Sequence, residues 1–488
     1  MREITAMLTR KPRPIRVLQY GEGNFLRAFV DYMIDIANEK GLFDGNVAIV
    51  KPIIYGSLES FWQQDNLYTV CLRGKAGGQV VRENRVVGSI GRVVDAYQDY
   101  ESYMALAKEE SLEFIVSNTT EAGIVFDPSD EFMACPPRTY PGKLTQFLFR
   151  RFECFHGAKE KGLILLPVEL IENNGGKLKE CVLRLMEAWH LPEAFKTWVE
   201  ESCVFCSTLV DRIVTGYPKD TAGDYWQELG YEDRLLTVCE PFALWVIESP
   251  KDISGRLPLD KAWLPVVFTK DQRPFRERKV RLLNGAHTST VLHAYLMGMD
   301  IVGDCMADPG LRRFMEEAVF SEISPTVPLP QEEVKAFAKS VFERFENPFI
   351  RHALLSIALN SVSKWKSRIL PSLLDSLEQT GKLPRCLTFS FAALLAFYTI
   401  RKQADGSYAG LRSGGETYPV QDDKPALEFF AANSGKPVEE YVELAASNIA
   451  FWGRDLKLIP GFVQAAARHL DKIRTIGPRA AMNRIFEE

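Results

Sequence analysis

The chain has 488 residues, 46% of them hydrophobic and 25% charged, with a formal net charge of -5. That length exceeds what one hydrophobic core supports, so two or three domains are expected. The charges are interspersed without a basic stripe, which argues against nucleic acid or an anionic membrane as partner, and no run of about 18 apolar residues marks a transmembrane helix.

The start, "MREITAMLTRKPRPIRVLQYG", shows no apolar stretch of the kind a secretory signal needs. Nine scattered cysteines, an odd number, then suggest reduced thiols and a cytoplasmic protein. The first half alternates short apolar runs with helical patterns. "IRVLQY" (15–20), "NVAIV" (46–50), "LEFIVSN" (112–118) and "GLILLPVE" (162–169) are predicted strands. Helical stretches such as 24–39 and 95–110 lie between them, a pattern that implies a parallel sheet flanked by helices. Residues 67–74 and 79–90 look like an inserted hairpin. "CVFC" (203–206) is the only CxxC, and it lacks the two further ligands that zinc would need, so buried thiols and no metal are expected.

"VLQYGEGNFLRAFVDYMID" (17–35) reads as a strand, a tight glycine turn and a helix whose Phe25, Phe29, Met33 and Ala37 share one face. Gly21 suits the sharp turn, and Gly23 lets the backbone approach a pyrophosphate at the positive end of the helix. Leu26 holds the place of the third glycine of the dinucleotide fingerprint. Asn24 and Arg27 are candidate phosphate donors, with Phe25 beside them, although Arg27 would serve equally as a surface or interdomain residue. The second strand runs into Lys51 and Pro52 instead of the acid that usually bonds the ribose of NAD, leaving NAD against NADP open. "SNTTEAG" (117–123) follows a later strand, where ligands of open α/β sheets sit, so Asn118, Thr119 and Glu121 are cofactor candidates or turn and helix caps.

After "WLPVVFTKD" (263–271) the strand signals nearly vanish and amphipathic patterns take over at 281–298, 309–322, 331–346, 348–361, 366–380, 385–402, 424–434, 437–451 and 460–475. The boundary is placed near 272: an α/β, Rossmann-type domain over 1–272 and a mainly α-helical substrate domain over 273–488. Just beyond it stands "RKVRLLNGAHTSTVL" (278–292), an apolar segment interrupted by Lys279, Asn284 and His287. On an α-helix these fall at about 0°, 140° and 80°, one broad side, with Gly285 opposite where another element could pack closely. They are either exposed polar residues at a helix start or a set converging on chemistry.

"GEGNFLRAF" followed much later by "KxxxxNGxH" resembles the long-chain polyol dehydrogenases, the mannitol dehydrogenase-like group. "SNTTEAGI" (117–124), "FCSTLVDRIVTGYP" (205–218), "ERKVRLLNGAHT" (277–288), "LLSIALNSVSKWKSRILP" (354–371) and "GETYPVQDD" (415–423) extend the likeness to a branch that reduces keto-uronates. The resemblance implies metal-independent hydride transfer with NAD. It implies Lys279 as general acid/base, Asn284 as donor to the reacting oxygen and His287 as orienting group. A lysine in an apolar pocket beside a positive nicotinamide gives up its proton readily, which suits that role. A second oxyanion asparagine is expected from "PVELIENNGG" (167–176), where Leu170 holds the first asparagine position of the family and Asn174 the second, with Asn173 the competitor. The polyol enzymes' "RixxDgsxK" reads "SIALNSVSK" here, with Ser356 for the arginine and Asn360 for the aspartate. His352, Asn360, Lys364 and Arg368 have lost acids and kept cations, which suits an acidic sugar unless they form a solvated basic face. Arg212 is a further candidate. The expected partner is a small sugar acid, with oligomeric state open. Fructuronate or mannitol reduction, or a catalytically dead dinucleotide sensor, are the alternatives.

Overall fold

The computed structural model describes residues 2–119 and 122–487. Its contacts divide the chain into one unit ending at Gln272 and a second beginning at Arg273.

The first unit is built on six parallel strands: β1 (Ile15–Tyr20), β2 (Asn46–Lys51), β3 (Ile90–Asp95), β4 (Phe114–Ser117), β5 (Ile164–Pro167) and β6 (Val204–Phe205). Their order is β3-β2-β1-β4-β5-β6. This is the doubly wound arrangement, in which the chain reverses direction across the sheet between β1 and β4. The strand runs are apolar on both faces because helices cover both, and β2 and β4 are buried along their whole length. Val17, Ile49 and Phe114 face one core, and Leu18, Ala48 and Ile115 face the other.

One strand expectation needed revision. β3 lies in the stretch read as the end of the hairpin and the start of a helix; its helix begins only at Tyr100. The hairpin itself, Tyr68–Ala76 with Gln79–Val87, belongs to a separate four-stranded sheet with Thr237–Cys239 and Val214–Gly216. Cys203 and Cys206 flank the edge strand β6, both buried, with burial pushing their thiols up to about 12 and about 11.

The second unit is mainly helical. A continuous run over 273–296 holds residues Gly285–Leu296, every one of them buried. It packs against Arg385–Phe397, which is almost as fully enclosed. A helix buried on every side lies at the centre of a domain, and these two form its axis. Around them stand Gln331–Phe345, Ser361–Arg368, Leu370–Thr380, Lys424–Asn433, Val438–Ala446 and Phe462–Ile476. The stretch 348–361, expected to be helical, yields only Leu354–Ile357. The helix expected over 385–402 stops at Phe397, because Ile400–Lys402 opens a small antiparallel sheet with Tyr408–Leu411 and Thr417–Pro419. No helix among the described residues is long and apolar enough to cross a membrane.

Candidate active site

In the first unit the glycine turn leaves β1 and enters a helical run over residues 24–39, called α1. Gly21 has φ +119°, a conformation that side-chain-bearing residues rarely adopt, and its N–H is tied to the carbonyl of Val50 on β2. Gly23 is the N-cap of α1 and carries no side-chain cap; a Cβ there would meet nothing within 4 Å. The turn is therefore an open backbone cradle at the positive end of a helix, which fits a dinucleotide pyrophosphate.

Arg27 and Asn24 do not reach into this cradle. Arg27 is 6% exposed; it donates to the carbonyl of Glu22, to that of Leu235 and to Asn24 Oδ1, and stacks over Tyr68. Asn24 lies against Gly216. Both brace the turn, which leaves backbone groups as the candidate phosphate donors. Phe25 stacks on Phe29 at 5.1 Å and packs against the core. After β4, the Asn118 side chain donates to the carbonyl of Val168, and the N–H and hydroxyl of Thr119 donate to Glu169 at 3.0 and 3.1 Å. Glu169, absent from the sequence expectations, is a buried acid just past β5 that pins this loop. Desolvation raises its carboxyl and the bonds from Thr119 oppose that. Glu121 lies outside the described residues.

Lys51 is buried and forms an ion pair with Asp95 at the end of β3, 3.0 Å away. It also donates to the carbonyls of Ile53 and Tyr55. It is consumed internally and is not placed to receive a 2′-phosphate.

Asn174 and Arg212 need correction. Asn174 is fully buried; its amide nitrogen is shared among the carbonyls of Pro167, Glu169 and Thr208, and its oxygen accepts from the N–H of Gly175 and Thr208. It has no donor left for a substrate, and its bonds instead fix the β5 turn. Asn173, in the left-handed region at φ 51°, is exposed, with its oxygen accepting from Ser207. Leu170 is 64% exposed. Arg212 donates to the carbonyls of Glu240 and Ala28 and lies over the ring of Tyr32. It clasps the strand Ser207–Asp211 to α1 and is not available as a substrate cation.

In the second unit, Lys279–Asn284 is a π-wound segment inside the run over 273–296, which is called α2. The N–H of Gly285 reaches back to the carbonyl of Val280, five residues earlier. Five-residue bonding stacks residues i and i+5 on one face, so Lys279 and Asn284 come closer together than α-helical spacing allows. Arg281 anchors the segment on another side by donating to Thr326 and pairing with Asp375. A Cβ on Gly285 would stand 3.4 Å from Ile323 and 3.6 Å from the carbonyl oxygen of Arg368. Close packing at this glycine brings the helix Ser361–Arg368, called α3, against α2. Lys279 and Asn284 are both half-buried.

His287 follows, 7% exposed, its ring stacked on Phe345 at 4.2 Å and edge-on to His352 at 5.3 Å. Its Nε2 has no hydrogen-bond partner among the described residues. Desolvation, then His352, Arg368, Arg344 and Lys364, hold it well below the usual imidazole range, so it is neutral. Arg344, buried at the end of Gln331–Phe345, was not foreseen, since its helical pattern reads as an ordinary amphipathic face. Arg368 is half-buried with one long contact, 3.5 Å, to Thr288 Oγ1, and burial lowers its pKa. Lys364 donates to the carbonyl of Ile357 at 2.8 Å; desolvation and Arg368 lower its pKa against the pull of Asp422. Asn360 is exposed in a left-handed conformation and caps nothing with its side chain; Ser356 bonds back to the carbonyl of Ala353. His287, His352, Arg344, Lys364 and Arg368 are thus one basic cluster beside the π-wound turn. Among the described residues no group of three His, Cys, Asp or Glu could hold a metal.

A doubly wound sheet with an open glycine turn, joined to a helical unit bearing lysine, asparagine and a neutral histidine on one buried helix, defines a two-domain dehydrogenase. The chain belongs to the mannitol dehydrogenase family: residues 15–261 match the mannitol dehydrogenase Rossmann domain and 271–474 the mannitol dehydrogenase C-terminal domain. It is a polyol or sugar-acid oxidoreductase. It is 45% identical over 479 residues to the altronate oxidoreductase of Yersinia enterocolitica, covering 97% of each chain. It is 44% identical to that of Escherichia coli K12, covering 96% of each. Among solved structures, Pseudomonas fluorescens mannitol 2-dehydrogenase in complex with NAD and D-mannitol shares the fold at TM-score 0.67 and 23% identity, covering 98% of this chain and 95% of that one. A substrate-free D-sorbitol dehydrogenase does so at TM-score 0.78 and 22% identity, covering 96% and 95%.

Proposed function

We propose that this enzyme interconverts D-altronate and the keto acid D-tagaturonate, with NAD as cofactor and without a metal. The glycine turn, with Gly21 and Gly23, would hold the pyrophosphate. A bound nicotinamide dinucleotide supplies the hydride acceptor, or the donor in reverse.

The residues of α2 handle the proton and the oxygen. In the oxidation direction, the Lys279 amine takes the proton of the reacting hydroxyl at its Nζ. Asn284 donates an amide N–H to the same oxygen as negative charge gathers there. In the reduction direction Lys279 returns the proton and Asn284 holds the carbonyl oxygen. His287, kept neutral by burial and by its basic neighbours, has an Nε2 free to accept from or donate to a substrate hydroxyl. It orients without adding charge.

The observation that carries the choice of substrate is the basic cluster around His287. Polyols carry no charge and would leave half-buried Arg368 and Lys364 unpaired, which is costly in a desolvated pocket. A sugar carboxylate pairs them. The names of the relatives support the same substrate. The test is initial-rate turnover of D-altronate with NAD and of D-tagaturonate with NADH, with and without EDTA. Turnover in both directions, unaffected by EDTA, is expected. Loss of activity reversed by a divalent metal would overturn the metal-free mechanism, and activity confined to neutral polyols would overturn the substrate.

A further inference from the structure

The usual ribose-reading acid at the end of the second strand is replaced by Lys51, which is buried and spent on Asp95 and on the carbonyls of Ile53 and Tyr55. These bonds have a consequence for the loop that follows β2. They turn its carbonyls inward and leave Ile53, Ile54 and Tyr55 facing out, at 51%, 64% and 79% exposure. Three large apolar side chains in succession on a surface loop mark a contact site. The carboxylate of Glu22, between the two glycines of the turn, lies over the same loop: a Cβ on Gly56 would stand 3.9 Å from Glu22 Oε1. Glu22 is half-buried and carries no ion-pair or side-chain hydrogen-bond partner at its carboxylate among the described residues. Burial raises its pKa, opposed first by a hydrogen bond from its own backbone N–H and then by Lys51 and Arg27.

Resting on the dinucleotide reading above, we propose that Glu22 reads the adenosine ribose and repels a 2′-phosphate, while residues 53–55, held out by Lys51, seat the adenine. The chemistry matches at each point. A carboxylate accepts hydrogen bonds from a ribose diol and is repelled by a phosphate dianion. Apolar side chains cover a base. The acid has moved from the end of β2 into the β1 turn, reaching the loop after β2 from the neighbouring strand.

The experiment measures Kd for NADH and for NADPH by quenching of protein fluorescence, in the full-length wild type and in Glu22→Gln and Glu22→Asp, each checked for an unchanged melting temperature. The wild type is expected to favour NADH. Glu22→Gln should shrink the NADPH-to-NADH Kd ratio by roughly tenfold or more, the size of one charged hydrogen bond, by weakening NADH as that bond loses its charge and by tightening NADPH as the repulsion goes. Glu22→Asp should retain most of the preference. An NADH-preferring wild type whose ratio is unchanged in Glu22→Gln refutes the role of Glu22 and leaves the NAD reading standing. A wild type that favours NADPH, or binds neither nucleotide, refutes the NAD reading itself.

Discussion

Replacing Arg368 by Met tests what the basic cluster is for. Arg368 is half-buried, its one contact to Thr288 is long, and no acid among the described residues pairs with it. Lys364, one turn earlier on α3, spends one of its three N–H groups on Ile357. Each therefore has donors to give to a carboxylate, and burial has already removed part of its own water. A hydrogen bond to a charged group contributes roughly 1.5–3 kcal/mol, or about 10–100-fold per contact, and two contacts reach about 10³-fold. Lys364 belongs at the lower end because solvent and Asp422 both temper its charge. The assay compares kcat/KM for tagaturonate with that for its neutral ketose counterpart, tagatose, in wild type, Arg368→Met and Lys364→Met. The wild type should favour the acid by at least the single-contact factor. Each variant should shrink that ratio mainly by losing the acid substrate. If both variants keep the full ratio, the carboxylate is bound elsewhere. If they lose both substrates equally, the cations serve the fold and not recognition.

Asn284→Ala should lower kcat by about 10²–10³-fold, the usual cost of one lost oxyanion donor, while the Kd for NADH is unchanged; a small kcat effect would remove Asn284 from the oxygen. Asp31 gives a stability prediction. It is fully buried, and desolvation, opposed by a hydrogen bond from Gln19 and by Arg27, raises its carboxyl to about 7. The folded protein keeps this proton while the unfolded chain releases it at about pH 4, so Asp31 costs stability as pH rises from about 4 to 7 and adds no further slope above. Asp31→Asn keeps an oxygen for Gln19 and never ionises. Its melting temperature should overtake the wild type's between pH 5 and pH 8; an equal difference at both pH values would contradict the assignment.

The parallel sheet was legible because its strands are buried on both faces, which leaves uninterrupted apolar runs such as "IRVLQY". β3 escaped because Gly91 and Arg92 break its run and because it follows the hairpin strand after only two residues. The short strands at 400–402, 408–411 and 417–419 are too brief and too polar to carry an alternating signal. At the candidate site, spacing and family likeness single out Lys279, Asn284 and His287. Their relation was misdrawn, since a count at about 100° per residue assumes α-helical winding and the segment is π-wound. Asn174, Arg27 and Arg212 show the opposite limit. A polar residue beside a glycine turn or a strand end reads the same in sequence whether it faces a ligand or braces the backbone. Here backbone carbonyls of a turn, a strand end and a helix claimed all three.

The claim that chemistry rests on the π-wound turn is tested most directly by Lys279→Ala. NADH binding and tagaturonate turnover are measured on the same preparation. The Kd for NADH should be kept while kcat falls by about 10²–10⁴-fold, the contribution of a general acid/base. Near-normal turnover by Lys279→Ala would contradict it.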